Sequence, residues 1–264
     1  MTIPFTKAHG AGNDFLLTPA DQVPDCDLPS VARAICDRHT GIGADGWMLL
    51  RGSTIRLFNA DGSEPEMSGN GTRCAAALLI DSGQAADHLT ITTGAGAKHL
   101  RLLERRGRQF LFEMDMGRPK YEQAHLRWSL PLSSGPLEVT TLDVGNPQCV
   151  VFVDEFPANW ESLGAEIERH SRFPKRTNVS FVRSMDRHTI EVRFYERGAG
   201  VTLSSGTGST GAAAAAILRE VAASPVTVLT PAGESLNLRW DNSIYLTGPA
   251  EIIGKGEFYF EPQK

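Results

Sequence analysis

The sequence predicts an α+β protein of two similar domains, and three observations carry that prediction. One pattern occurs twice: Ser68-Gly69-Asn70-Gly71-Thr72 runs into Arg73-Cys74-Ala75-Ala76-Ala77-Leu78, and Ser205-Gly206-Thr207-Gly208-Ser209 runs into Thr210-Gly211-Ala212-Ala213-Ala214. A strand-like run ending in a polar residue stands at the same offset before each serine, Ile55-Arg56-Leu57-Phe58-Asn59 and Val192-Arg193-Phe194-Tyr195-Glu196. Gly12-Asn13 and Gly145-Asn146 precede the first long helix of each half, which marks an internal duplication with a period too long for a solenoid.

In chain order, Ile3–Lys7 reads as a strand, followed by the loop His9–Asp14 and a second strand at Phe15–Leu17. Apolar spacing at Val31, Ala34 and Ile35 predicts a helix over 28–38, broken at Gly41-Ile42-Gly43. Trp47–Leu50 and Ile55–Asn59 form a hairpin pattern, and the helix after Ser68 runs to Ser82-Gly83. Strands follow at 89–93, 100–103 and 109–114. Gly117-Arg118-Pro119 and the polar segment 120–137 read as an irregular boundary. Strands near 137–144 and 149–153, a helix near 160–170 and strands at 178–182 and 189–196 then lead to the second motif. Four further strands are expected at 226–230, 236–240, 243–247 and 257–260.

Each Ser-Gly-x-Gly copy has a local physical meaning. Glycines opening a helix let backbone N–H groups turn toward a ligand, and those unpaired donors carry partial positive charge suited to an anion. The serine just before them is a favoured helix cap, worth about 1 kcal/mol, and its hydroxyl points into the same space. Two such elements facing one cleft would hold a small carboxylate-bearing molecule. Gly206-x-Gly208-x-x-Gly211 also matches a dinucleotide fingerprint, but no strand immediately precedes it and Glu220 comes too early for the ribose acid.

Composition narrows the function classes. A net charge of −5 without a lysine or arginine block gives no electrostatic footprint for nucleic acid. The N-terminus lacks a signal-peptide pattern and no run of roughly 18 apolar residues occurs, so a cytoplasmic protein without membrane contact is expected. Four cysteines, Cys26, Cys36, Cys74 and Cys149, form no C-x-x-C pair, which argues against zinc or a disulfide framework. His39 with Asp45 lacks a third ligand, so no metal is expected.

Taken together, Asn59-Ala60-Asp61-Gly62-Ser63-Glu64, the two Ser-Gly-x-Gly blocks and Glu196-Arg197-Gly198-Ala199-Gly200 resemble the diaminopimelate epimerase family. So do His9–Phe15, Arg38–Asp45, Gly145-Asn146-Pro147 and Arg176-Thr177-Asn178-Val179. These blocks run the length of the chain in the family's order. The resemblance implies two pseudo-symmetric domains, each a central helix wrapped by mostly antiparallel strands, with a ligand cleft between them. The break near Gly117-Arg118-Pro119 sets the expected boundaries at 1–115 and 116–249, the last strand (about 250–264) returning to the N-terminal domain. The resemblance also implies cofactor-independent, PLP-free proton transfer at an amino-acid α-carbon, in lysine and peptidoglycan precursor supply, by a homodimer acting on a small amino-acid or carboxylic-acid substrate.

Carried over residue by residue, the resemblance places Ser68 and Ser205 at the two acid/base positions. It assigns substrate binding to Asn13, Asn59, Gly69, Asn70, Asn146, Asn178, Glu196, Arg197, Gly206 and Thr207. The family has cysteine at both acid/base positions, histidine at Gln148 and an acidic residue at Val201. A thiol titrates near 8.5 and is readily ionised beside helix N-termini, whereas an alcohol is a far weaker acid and needs an adjacent base. Either two cysteines have been replaced alone, or the proton-transfer groups diverged together; Gln148 and Val201 fit the second account. A lyase or allylic isomerase of the same fold, or a silent amino-acid-binding homologue, are the alternative readings of such a site.

Overall fold

The computed structural model describes residues 1–261. The chain divides into two compact units, one made of residues 1–114 with the chain from Pro249 onward, the other of residues 115–248. Both are α+β, and both repeat one order of strand pairings.

In the first unit, β1 (Thr2–Gly10) and β2 (Asn13–Pro19) form an antiparallel hairpin. Its two turn residues, Ala11 and Gly12, take φ of 51° and 81°, the left-handed pair that suits a tight hairpin turn. Asn13, expected in a loop, therefore starts a strand. From β2 the chain crosses over through α1 (Leu28–Cys36) to the parallel strand β3 (Gly46–Arg51), which pairs antiparallel with β4 (Thr54–Asn59). A second crossover through α2 (Gly69–Asp81) reaches β5 (His88–Thr93), parallel to β4, and β6 (Gly96–Arg106) and β7 (Gln109–Gly117) complete a meander. Parallel neighbours require such crossovers, because a tight turn can only return a strand antiparallel.

The second unit repeats this plan. It opens with β8 (Lys120–Tyr121) and a hairpin of β9 (Trp128–Leu132) and β10 (Gly135–Asp143), so the segment read as irregular carries two strands. Leu130 is buried between exposed Ser129 and Pro131, the alternation of a half-buried strand whose proline hid it from pattern reading. Next, β10 pairs antiparallel with β11 (Pro147–Phe152), and α3 (Trp160–Glu168) crosses to the parallel β12 (Asn178–Asp186). Antiparallel to β12 runs β13 (Thr189–Glu196), which pairs with the short β14 (Gly200–Thr202) inside the expected loop 197–205. Crossover α4 (Gly206–Leu218) leads to β15 (Val226–Leu229), parallel to β13, and on to β16 (Ser235–Trp240).

The last element, β17 (Ile244–Tyr259), is one strand of 16 residues where two were expected. Its early residues pair with β16 and its later ones with β1. Gly248-Pro249 and Gly254 lie between the two expected strands, yet backbone pairing on either side carries the strand through them. Residues 262–264 of the expected last strand lie outside the described residues.

Two kinds of helix hold each unit together. Outer helix α1 packs Val31, Ala32, Ile35 and Cys36 against Leu16, Trp47 and Phe58, while α3 packs Trp160 and Ile167 against Cys149, Val179 and Phe181. The helices α2 and α4 are buried on nearly every side, and Gly206 to Ala216 are all buried. A helix without a polar face belongs inside a core, and alanine combines high helix propensity with a side chain small enough for strands to close around it. Among the described residues no helix is long and apolar enough to cross a membrane.

Candidate active site

The two serines are capping residues of their helices with nearly the same geometry. Ser68 (φ −127°, ψ 126°) accepts a hydrogen bond at Oγ from the Gly71 N–H at 3.1 Å, and Ser205 (φ −138°, ψ 121°) does the same from Gly208 at 3.0 Å. Extended backbone at the cap and a hydroxyl three residues short of a free N–H are what the Ser-Gly-x-Gly spacing dictates. Thr72 Oγ1 donates to the Ser68 carbonyl and Thr210 Oγ1 to the Gly206 carbonyl, each at 2.7 Å.

Substitutions at the second motif glycine separate the two copies. A Cβ at Gly208 would stand 2.8 Å from Phe194 Cδ1 and 2.9 Å from Ser205 Oγ, with packed atoms on both sides. At Gly71 it would meet Met48 Cε at 2.5 Å, the free end of a flexible side chain. Gly208→Ala is expected to cost about 1–3 kcal/mol in urea unfolding and Gly71→Ala under about 1 kcal/mol; equal losses would contradict this packing.

The asparagine that begins each half reaches the x residue of its own motif. Asn70 Nδ2 donates to Asn13 Oδ1, and Asn146 Nδ2 donates to Thr207 Oγ1, both at 3.2 Å and both buried. In the first unit Asn13 Nδ2 donates to Asp45 Oδ2 at 2.6 Å, and Arg38 donates to both Asp14 and Asp45 at 2.7 and 2.8 Å. Burial pushes the Asp14 carboxyl up, but hydrogen bonds and charge from Arg38 and Lys7 outweigh it and hold it below the ordinary carboxylate range. Asp45 is raised, by burial first and by the Asp14 charge second. Asn59 turns to a neighbour, donating Nδ2 to Ser63 Oγ at 3.0 Å.

In the second unit Gln148, 1% exposed, donates Nε2 to Asn146 Oδ1 at 2.6 Å and so fixes which face of that amide meets Thr207. Asn178 Oδ1 accepts from the Arg197 N–H at 3.0 Å, while Asn178 Nδ2 donates to the Pro147 carbonyl. The Arg197 guanidinium donates to the Lys175 carbonyl at 3.2 Å. Glu196, at the end of β13, receives Ser205 Oγ on Oε2 at 2.6 Å and Thr202 Oγ1 on Oε1 at 2.7 Å. Hydrogen bonds to an ionised carboxylate are short and strong, and two of them hold this one in a single orientation.

The unit-two group thus gathers Asn146, Gln148, Asn178, Glu196, Arg197, Ser205, Gly206 and Thr207. The unit-one group gathers Asn13, Ser68, Gly69 and Asn70, with Asn59 bonded into its own turn. Three residues that build these groups were not assigned to the site from sequence: Asp45, weighed there only with His39, which holds Asn13; Arg73, which donates to Asn70; and Thr202, which holds Glu196. Thr202 had a local signal, since it alternates along β14 with Val201, which is 47% exposed while Thr202 is buried.

No buried thiol competes with the serines. Cys36, Cys74 and Cys149 are buried, and burial pushes Cys74, inside α2, up to about 12 despite the Arg73 charge. Asp45, weighed with His39 as a metal pair, is bonded to Asn13 and Arg38. Among the described residues no group of three or more His, Cys, Asp or Glu is placed to hold a metal ion. The glycines of the dinucleotide-like match lie within α4 itself rather than in a loop between strand and helix.

The family profile of diaminopimelate epimerase matches residues 5–122 and 140–253. The chain belongs to the diaminopimelate epimerase family. A diaminopimelate epimerase of Pelotomaculum thermopropionicum is 40% identical over 275 residues, spanning 96% of this chain and 98% of the relative. One from Moorella thermoacetica is 41% identical over 276 residues, with the same shares covered. Among solved structures, a hydroxyproline epimerase from Agrobacterium vitis superposes with a TM-score of 0.74 at 16% identity, covering 97% of this chain and 92% of that one. A probable proline racemase from Agrobacterium radiobacter gives 0.75 at 15%, covering 96% and 92%. These last two establish the shared α+β epimerase fold. The hydroxyls at 68 and 205 are each held by their own helix start, through the Gly71 and Gly208 N–H groups.

Proposed function

We propose that the chain is a PLP-independent epimerase that moves a proton at the α-carbon of diaminopimelate, interconverting the LL and meso forms for lysine and peptidoglycan supply. Ser68 and Ser205 serve the two faces of that carbon, and the N–H groups opening α2 and α4 receive the α-carboxylate. Charge that develops when the α-proton leaves spreads into the carboxylate, where preformed N–H donors stabilise it most. Asn13, Asn59, Asn70, Asn146, Asn178, Arg197 and Thr207 contact substrate or hold the groups that do. The reading includes a cytoplasmic homodimer.

The single observation that carries this reading is the Ser205 hydroxyl donating to Glu196 at 2.6 Å. A hydroxyl with a carboxylate behind it has somewhere to send its proton, as a nucleophile or base of this kind requires. Full-length likeness at 40% is to epimerases. The likeness to a methylitaconate-delta-isomerase, 13% identical with a TM-score of 0.60, is one of fold alone, so the lyase and allylic-isomerase readings are not favoured.

The test is α-proton exchange in deuterated water with LL- and meso-diaminopimelate, followed by NMR. Slow incorporation of deuterium at the α-carbon is expected. Absence of label with the enzyme near substrate concentration would overturn the reading.

A further inference from the structure

The two halves, alike in backbone, are unlike in chemistry. At the second, Ser205 is 2% exposed and donates to a carboxylate whose other oxygen is held by Thr202. At the first, the position equivalent to Glu196 is Asn59, an amide that accepts no proton at neutral pH and is bonded to Ser63. A thiol would make this difference small, because it ionises near neutrality unaided. A hydroxyl makes it decisive.

We propose that, of the two faces, the Ser205 face alone is competent as a base, so that proton exchange with retained configuration runs well ahead of inversion. The inference rests on the function proposed above. In the forward step the Cα–H bond breaks and its proton passes to Ser205 Oγ while the hydroxyl proton passes to Glu196 Oε2. The electron pair stays on the α-carbon, delocalised into the α-carboxylate. Return along the same path with a solvent deuteron restores the original configuration, whereas inversion needs a proton from Ser68, where Asn59, bonded to Ser63, stands in place of a carboxylate. Thr202 is a positioning residue: it holds Glu196 with one oxygen aimed at Ser205.

LL- and meso-diaminopimelate are incubated separately in deuterated water, with α-deuterium at the L and D centres read by NMR and configuration by chiral chromatography. One configuration is expected to incorporate label at least about tenfold faster than the other, with configuration retained. Glu196→Gln should abolish this exchange and Glu196→Asp should restore part of it. Thr202→Val should lower its kcat about ten- to a hundredfold with KM unchanged, the loss expected for a hydrogen bond to a charged group, and Thr202→Ser should rescue it. Equal exchange of both configurations, label found only in inverted product, or full exchange by Glu196→Gln would each overturn the inference and leave the epimerase reading standing. No label in either configuration overturns both.

Discussion

Ser68→Cys together with Ser205→Cys is expected to raise α-proton exchange by about 10²–10⁴, the range that a well-matched general acid–base pair contributes. A thiol titrates near 8.5, while a hydroxyl is a far weaker acid, so the thiolate is far cheaper to form, and only part of that difference reaches the rate. Ser68→Cys alone should raise inversion relative to exchange, because it equips the half in which the amide of Asn59, not a carboxylate, stands at the offset of Glu196. The gain has a structural cost: both serines cap helices, so the double variant is expected to lose about 2 kcal/mol of stability. Stopped exchange assays on the four combinations decide it. A double variant no faster than the parent would show that Gln148 and Val201 have remodelled the site beyond rescue by thiols.

Arg73→Met is expected to lower stability by about 3–6 kcal/mol. Arg73 lies inside α2 at 0% exposure, and its guanidinium donates to the Pro249 carbonyl at 3.0 Å, the Gly69 carbonyl at 3.3 Å and Asn70 Oδ1 at 2.6 Å. Methionine fills similar volume but leaves those acceptors buried without these donors, at about 1–3 kcal/mol each. Arg73→Lys should recover little, since an ammonium cannot span three acceptors with a planar fork. Urea unfolding measures it; a loss under about 1 kcal/mol for Arg73→Met would refute the bridging role. Because Asn70 in turn bonds Asn13, the variant should also weaken substrate binding.

Both expectations start from residues whose positions sequence reading could name and whose partners it could not. The duplicated Ser-Gly-x-Gly pattern located the starts of α2 and α4 to the residue, because a capping serine, helix-opening glycines and an alanine run are local signals. The repeated order of antiparallel and parallel pairings follows from the same duplication. Strands β9 and β14 and the unbroken β17 were missed because prolines, glycines and short polar runs read as breaks when pairing partners are unseen.

What the sequence by itself determined is the family, the fold class and the two hydroxyls at positions where thiols were expected, since these depend on residue identity and spacing along the chain. What the tertiary structure decided is which group stands behind each hydroxyl. Glu196 and Asn59 sit at equal offsets from their serines, yet Glu196 meets Ser205 at 2.6 Å with Thr202 holding its other oxygen, while Asn59 bonds Ser63. Hydrogen-bond partners are fixed within a few tenths of an ångström by how strands and turns pack, and no spacing in one dimension encodes that choice.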